Sequence, residues 1–276
     1  MMNFNSEQDA ARAVLGETVK IMQQEKIDYV ILGGWIPLLF HSAHLPHPGS
    51  FDVDLLLNPK TTKKMFDANV VDKFKNLGYM LPAKNKFQLS RPLIVNGEPI
   101  LFHVDLLHTN YAPYQDEDDF LVNWGQIQSI SGPGTDLIFS ESERFTAHLD
   151  FLLPNGIQES LSVNFANEVG FISAKGRALT SPKRKRDSYD IYMVITQSRD
   201  PKYLIEHSYS LYHSSGVFKK SVDTIKKYFF EGDKQGVKNV RKYMLLFKES
   251  IKIPEEVMVE AIESRMNHFF EQVTTK

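Results

Sequence analysis

The chain has 276 residues, 42% of them hydrophobic and 24% charged, with a formal net charge of −2; this is the profile of an ordinary folded protein rather than a disordered or fibrous one. So small a net charge gives no global electrostatic argument for binding nucleic acid, although a local basic patch could still gather phosphates. There is no cysteine, which excludes disulfides, thiolate nucleophiles and cysteine zinc sites and leaves oxygen and imidazole as metal donors.

The opening MMNFNSEQDAAR lacks the basic-then-apolar pattern of a signal peptide, and no apolar run is long enough to span a bilayer, so a cytoplasmic location without a membrane partner is expected. Ser6 followed by Asp9 resembles a capping box, and Ala11, Val14, Leu15, Thr18 and Met22 recur at helical spacing; an amphipathic helix packed on a sheet is predicted. A short β-branched run at 27–32 stops at Gly33-Gly34, and 35–40 reads as a brief helix. After a loop rich in His, Pro and Gly at 41–49, a second strand is predicted at 51–57 and a helix at 61–77. Strands at 87–94 and 100–107 meet through Asn96-Gly97, a hairpin signal. The stretch 110–143, with the acidic cluster Asp116, Glu117, Asp118 and Asp119 and the sequence Gly132-Pro133-Gly134, reads as loop with at most one short element. A second hairpin is predicted at 145–153 and 157–165 around Asn155-Gly156. From about Ile172 onward the pattern turns helical, at 182–196, 201–212, 218–230 and 234–247 and in a last helix from Pro254. No internal repeat or low-complexity tract interrupts this order. Two domains are expected, at 1–170 and 171–276.

Within Ser50-Phe51-Asp52-Val53-Asp54-Leu55, side chains on a strand alternate faces, so Asp52 and Asp54 point one way and the apolar residues the other. Carboxylates so close repel, and are tolerated when solvated, partly protonated or neutralised by a cation such as Mg²⁺. An Asp-x-Asp pair alone is weak evidence and fits a solvated strand end equally well. Upstream, Gly33 and Gly34 lie at a strand-to-helix turn, where missing Cβ atoms let backbone amides approach a phosphate.

The conjunction of strand, Gly33-Gly34, short helix and Ser50-x-Asp52-x-Asp54 resembles the first motif of the nucleotidyltransferase superfamily, in particular its AbiEii/AbiGii toxin-type branch. The resemblance implies an α/β (α+β) fold with a mixed sheet flanked by helices and a helical C-terminal region. It also implies a third carboxylate on a neighbouring strand, for which Asp105 in His103-Val104-Asp105 and Asp150 in His148-Leu149-Asp150 both stand ready. Asp105 is preferred because its strand should follow the second helix. Mg²⁺ prefers oxygen donors, so His103 and His148 read as packed or hydrogen-bonded residues.

A second stretch, Ala174-Lys175-Gly176-Arg177 and then Arg186-Asp187-Ser188-Tyr189-Asp190, resembles the same branch's lysine-bearing helix and basic Asp-x-x-Asp helix beside the NTP. Ser181-Pro182 reads as an N-cap and first helical position, which places Lys183, Arg184, Lys185 and Arg186 in a first turn where the helix dipole disfavours cations. That placement hints at phosphate binding, although a solvated basic face would look the same.

What the resemblance implies is a metal-dependent nucleotidyltransferase. Asp52, Asp54 and Asp105 would hold Mg²⁺ (or Mn²⁺), with Asp105 also as general base; Gly33, Gly34, Ser50, Lys175, Arg186, Asp187 and Asp190 would bind the NTP. The acceptor would be an RNA or tRNA end or a protein hydroxyl, and a cognate antitoxin is a possible partner. Trp35 departs from the pattern, since a small Ser or Thr commonly follows the glycines; its bulk could narrow the pocket or stack on a base. Two alternatives stand beside this: a non-catalytic module of a toxin-antitoxin pair that binds nucleotide, RNA or a partner, and an aminoglycoside-type enzyme whose cationic substrate the acids at 116–119 could attract.

Overall fold

The computed structural model of the protein describes residues 2–58, 70–81, 84–109, 121–124, 127–139, 143–179, 181, 184–251 and 253–275. Its contacts divide the chain into two compact units, Met1–Gly33 with Gly49–Ala166 and Gly34–Pro48 with Asn167–Lys276.

The first unit opens with a two-residue strand β1 (Asn3–Phe4) and helix α1 (Glu7–Gln24). Ser6 caps the helix: its Oγ accepts from Asp9 N at 3.1 Å and donates to Asp9 Oδ2 at 2.7 Å, which satisfies a donor that the helix itself leaves open. At the other end left-handed Lys26 (φ 54) turns the chain out. Ile27 N then bonds Met22 O and Lys26 N bonds Gln23 O, a Schellman ending. The stripe formed by Ala11, Val14, Leu15, Thr18 and Met22 is fully buried.

The stripe packs on a mixed sheet built from β2 (Tyr29–Ile31), β3 (Asp52–Leu57), β4 (Gln88–Val95), β5 (Glu98–His108), β8 (Arg144–Leu152) and β9 (Gln158–Ala166), with β1 at one end. The strand order is β1-β4-β5-β3-β2-β9-β8. Two antiparallel hairpins, β4 with β5 and β8 with β9, flank a centre in which β3 runs parallel to β5 and antiparallel to β2. Asn96 (φ 51) and Gly97 (φ 86) give the first hairpin its tight turn, both in the left-handed region that such turns require. Helix α1 touches strands from β1 to β8. On the same side Arg91 Nε meets Glu17 Oε2 at 3.1 Å in a buried pair; burial pushes the Glu17 carboxyl up and Arg91 draws it part of the way back.

Two elements differ from expectation, and one expectation is met over the part that can be described. The stretch read as loop contains a second small hairpin, β6 (Leu121–Trp124) with β7 (Ile127–Ser131), and β7 joins the sheet only at Leu107↔Ile130 and His108↔Ser131. Strands of four and five residues tied to the sheet by two positions leave too little alternation to recognise. For β1, two residues carry no period at all. Of the helix expected at 61–77, α3 (Val70–Asn76) is seen, while 59–69 and the acids at 116–119 lie outside the described residues.

The second unit is helical. Helix α2 (Trp35–Phe40) is followed by α4 (Glu168–Ala178), α5 (Asp187–Thr196), α6 (Pro201–Ser214), α7 (Gly216–Phe230), α8 (Gln235–Leu246) and α9 (Met258–Thr274), the last entered through a 3₁₀ turn at Glu255–Val257. Asn167, Asp200 and Ser215 cap α4, α6 and α7 through their side-chain oxygens. Helices α4 and α7 cross closely: a Cβ on Gly176 would stand 2.7 Å from Ser221 O, and Ser221 Oγ donates to Ser173 O at 2.8 Å. Phe218, Val222, Ile225, Phe229, Met244 and Met266 fill the core with no exposure.

Close packing in the first unit yields a test. A Cβ on Gly16 would lie 2.7 to 2.9 Å from the Phe151 side chain, where α1 presses on β8. Gly16→Ala should therefore lower the urea unfolding free energy by about 1–3 kcal/mol, as overpacked cores do. Adding Phe151→Leu should recover part of that loss; a double variant with strictly additive losses would show that the contact is not the cause.

Candidate active site

The parallel pairing of β3 and β5 sets the site. Its register places Asp52 beside His103 and Asp54 beside Asp105, and in a parallel pair residues in register share a face. Val53, Leu55, Val104 and Leu106 occupy the buried face with no exposure, so the polar residues are turned away from the core. Asp52 is exposed, while Asp54, His103 and Asp105 are half-buried.

The neighbouring strands and turns press on these acids. From β4, Gln88 Nε2 donates to Asp105 Oδ1 at 2.8 Å, and Ser90 Oγ stands 3.1 Å from His103 Nδ1. Leu32 N donates to Asp54 O at 2.9 Å, which lays the glycine turn against β3. Gly33 has φ +74, and a Cβ there would stand 2.0 Å from Asp54 Oδ2. Both the backbone angle and the approach of the carboxylate demand glycine. Gly34, by contrast, has φ −67 and forms the N-cap of α2.

Ser50 is buried and held by Gln8 from α1, whose Oε1 accepts from Ser50 N at 3.0 Å and whose Nε2 donates to Ser50 O at 3.3 Å. Gly49 (φ +104) makes room, since a Cβ there would be 2.6 Å from Gln8 Oε1. Gln8 had no signal in the sequence, because a polar residue in the first turn of a helix usually faces water.

Burial pushes the Asp105 carboxyl up to about 6, with Asp54 and Asp52 adding to the rise and the Gln88 hydrogen bond and His103 opposing it. Asp150, the other candidate for a third carboxylate, lies on β8, three strands from β3 in the sheet order. It faces Ser160 in register and accepts from Ser160 Oγ. His148 is likewise occupied, with Ser162 Oγ 2.9 Å from its Nδ1.

Whether these acids suit a divalent ion can be judged from their own chemistry. Among the described residues no three His, Asp or Glu side chains are drawn round a single point; Asp52, Asp54 and Asp105 share a face without converging. The donors are nevertheless all carboxylate oxygens, the kind Mg²⁺ and Mn²⁺ take. The Asp105 carboxyl is raised chiefly by its burial, with Asp54 and Asp52 adding to the rise, and a cation beside it would oppose both.

The remaining expected residues belong to the second unit, in a buried ionic cluster. Lys175 Nζ on α4 lies 2.6 Å from Asp187 Oδ1 and 3.6 Å from Asp190 Oδ2, with all three side chains nearly or wholly buried. Arg184 Nη1 approaches Asp187 Oδ2 and Arg186 Nε approaches Asp190 Oδ2, each at 3.6 Å. His47, which the sequence placed only in a loop, is 3.2 Å from Asp190 Oδ1 through its Nε2, and Tyr189 OH donates to Pro46 O at 2.8 Å. Burial pushes the Asp190 carboxyl up, but the His47 hydrogen bond and the charges of Lys175 and Arg186 outweigh it and hold the group below its ordinary value.

Two expectations are corrected here. The helix bearing Asp187 begins there rather than at Pro182, with Arg186 as its N-cap. Arg184 and Arg186 therefore precede the first turn, and the acids Asp187 and Asp190 occupy it, as the helix dipole favours; residues 182–183 lie outside the described residues. Trp35 is only 1% exposed, so its ring is core and presents no face to a base.

By its own geometry, then, the chain combines a mixed α/β unit carrying three acids on adjacent parallel strands beside a glycine turn with a helical unit. No family model matches it, and no curated protein is similar to it. Among solved structures it is similar to an antigenic nucleotidyltransferase-like protein from Paracoccidioides brasiliensis, at 14% identity and a TM-score of 0.44, over 81% of this chain and 94% of that one. No helix among the described residues is long and apolar enough to cross a membrane.

Two tests follow from the electrostatics. A carboxyl raised to about 6 means that the folded state binds its proton more tightly than the unfolded state. Stability therefore falls as pH rises through the interval between the unfolded and folded values, and the full penalty applies above it. Asp105→Asn should stabilise the metal-free protein by on the order of 1–2 kcal/mol at about pH 7.5 and by nothing measurable below about pH 4; an equal effect at both pH values would show that the carboxyl is not raised. In the second unit, Lys175→Met should cost about 3–5 kcal/mol by leaving Asp187 and Asp190 buried without their central cation, read as a lowered denaturation midpoint.

Proposed function

We propose that the protein is a metal-dependent nucleotidyltransferase that moves a nucleoside monophosphate from an NTP to an acceptor hydroxyl. The observation that carries this reading is the in-register opposition of Asp54 and Asp105, with Asp52 on the same face and Gly33 packed against Asp54. Asp52, Asp54 and Asp105 are the residues that would hold Mg²⁺ or Mn²⁺. Bound there, such ions would neutralise phosphate charge and make a coordinated hydroxyl more acidic.

Asp105 is suited to take the proton of the acceptor hydroxyl, since its raised carboxyl lies closer to neutrality than an ordinary aspartate. Gln88 fixes one of its oxygens, which leaves the other to face the reacting group. Gly33 would offer the backbone of its turn to the triphosphate. Lys175, Arg186, Asp187 and Asp190, which the sequence resemblance assigns to the nucleotide, make up the ionic cluster of the second unit. The finer assignment, a toxin-type enzyme of the AbiEii branch acting on RNA or protein and paired with an antitoxin, is supported by Ser50-x-Asp52-x-Asp54 followed by Lys175 and Arg186-Asp187-x-x-Asp190.

Incubation with each α-labelled NTP, Mg²⁺ and total RNA or lysate should label one class of acceptor. Asp52→Ala and Asp54→Ala should each abolish that labelling by at least about a hundredfold, with unfolding midpoints near that of the parent protein. Undiminished transfer by both variants would remove the site. Mg²⁺ together with the preferred NTP should also raise the melting temperature of the parent and not of Asp54→Ala.

A further inference from the structure

Strand β3 carries its first acid past the end of one neighbour. Strand β2 pairs with it from Tyr29↔Leu57 to Ile31↔Leu55, and Leu32 N adds a last bond to Asp54 O. No residue of β2 stands opposite Asp52 or the chain that leads into it. The ladder with β5, on the other side, begins only at Asp52↔His103. The approach to β3 must therefore be held by something other than a strand, since backbone with few bonds opens readily.

Ser50, two positions before β3, is only 2% exposed, so its N–H and C=O need partners. Gln8 supplies both. Its Oε1 accepts from Ser50 N at 3.0 Å and its Nε2 donates to Ser50 O at 3.3 Å, the exchange of two bonds that facing residues of antiparallel strands make. Gly49 gives the amide its room: it has φ +104, and a Cβ there would stand 2.6 Å from Gln8 Oε1 and 2.9 Å from the Phe51 ring. The helix does not need Gln8 for its own end, because Ser6 Oγ already accepts from Asp9 N. With its N–H and C=O both taken, Ser50 has only its hydroxyl left to offer a ligand.

We propose that Gln8 is a positioning residue for the acid centre. Its amide stands in for a strand partner and fixes the path by which the chain enters β3, and with it the placement of the Ser50 hydroxyl and the Asp52 carboxylate. The proposal rests on the metal-dependent reading above and adds to it a residue of α1 that acts only through Ser50. A misplacement of about 1 Å at a reacting centre can cost on the order of a hundredfold in rate, so a clamp outside the centre can still set its activity.

The test compares the full chain with Gln8→Met, which keeps the side chain's length and removes both bonds. The control is Gln23→Met, which removes a bond of the same kind at the other end of α1, where Gln23 Nε2 donates to Ser162 O. All three proteins are measured well below their unfolding midpoints, so that folded chains are compared. Without metal, Gln8→Met should speed exchange of the Ser50 amide by at least about tenfold. Its affinity for Mn²⁺, followed by electron paramagnetic resonance, should fall by about tenfold, and kcat at saturating NTP by on the order of tenfold to a hundredfold, a loss that lower stability alone would not produce. Gln23→Met should match the parent in all three measurements. Faster Ser50 exchange with Mn²⁺ affinity and kcat unchanged would reduce Gln8 to a structural contact and overturn the proposal, leaving the catalytic reading intact. A parent chain that neither binds Mn²⁺ nor transfers label would remove that reading and the proposal with it.

Discussion

Asp54 and Asp105 face one another across a parallel pair of strands, and much of the first unit is arranged to tolerate that. A parallel ladder sets in-register side chains about 4.8 Å apart along the sheet, too close for two carboxylates to share without cost. The protein meets the cost in small measures. Gln88 donates to one oxygen of Asp105, Ser90 pairs with His103 so that the ring stands beside the acids, and Gly33 removes a side chain from the path of Asp54. Burial, with Asp54 and Asp52 adding to it, outweighs the Gln88 hydrogen bond and His103, and the Asp105 carboxyl stays raised. A fold selected for stability alone would place an apolar or amide residue at one of the two positions.

The second unit shows the contrary solution with the same residue types. Asp187 and Asp190 are more deeply buried than Asp54 or Asp105, yet Lys175, Arg184, Arg186 and His47 surround them. Asp190 is consequently held below its ordinary value in spite of burial. The arginines differ again: Arg184 and Arg186 are partly exposed where they approach these acids.

How much of this could be read in advance depended on how local the cause was. The strand with Asp52 and Asp54 was legible because Val53 and Leu55, which alternate with them, must be buried, and both hairpins were legible because Asn-Gly turns carry their own backbone requirement. The capping box at Ser6 and Asp9 is equally local. The start of α5 was misplaced because Ser181-Pro182 mimics a cap, while the choice of Asp187 as the first helical residue follows from burying two acids against Lys175, a contact twelve positions distant. His47 and Gln8 were missed for the same reason. Their partners, Asp190 and Ser50, are 143 and 42 positions away, and nothing in the intervening sequence marks the pairing. Trp35 misled because its position after the glycines drew attention to ligand contact, when its apolar area made burial the stronger demand.

The paired glycines show why motif and mechanism must be separated. Gly34 has a φ that any residue adopts, so its backbone alone does not require glycine. Gly33 does, and from two causes at once: the left-handed angle and the oxygen of Asp54, which would lie 2.0 Å from a Cβ. A side chain at Gly33 would strike a carboxylate before it could obstruct a phosphate. The turn is therefore part of the acid centre. Its hydrogen bond from Leu32 N to Asp54 O ties the backbone of the two together, so displacement of the turn must displace Asp54 as well. Any group recognised by the backbone of this turn is thereby placed in fixed register with the acids. That coupling, more than the freedom of two small residues, accounts for glycine at the end of β2.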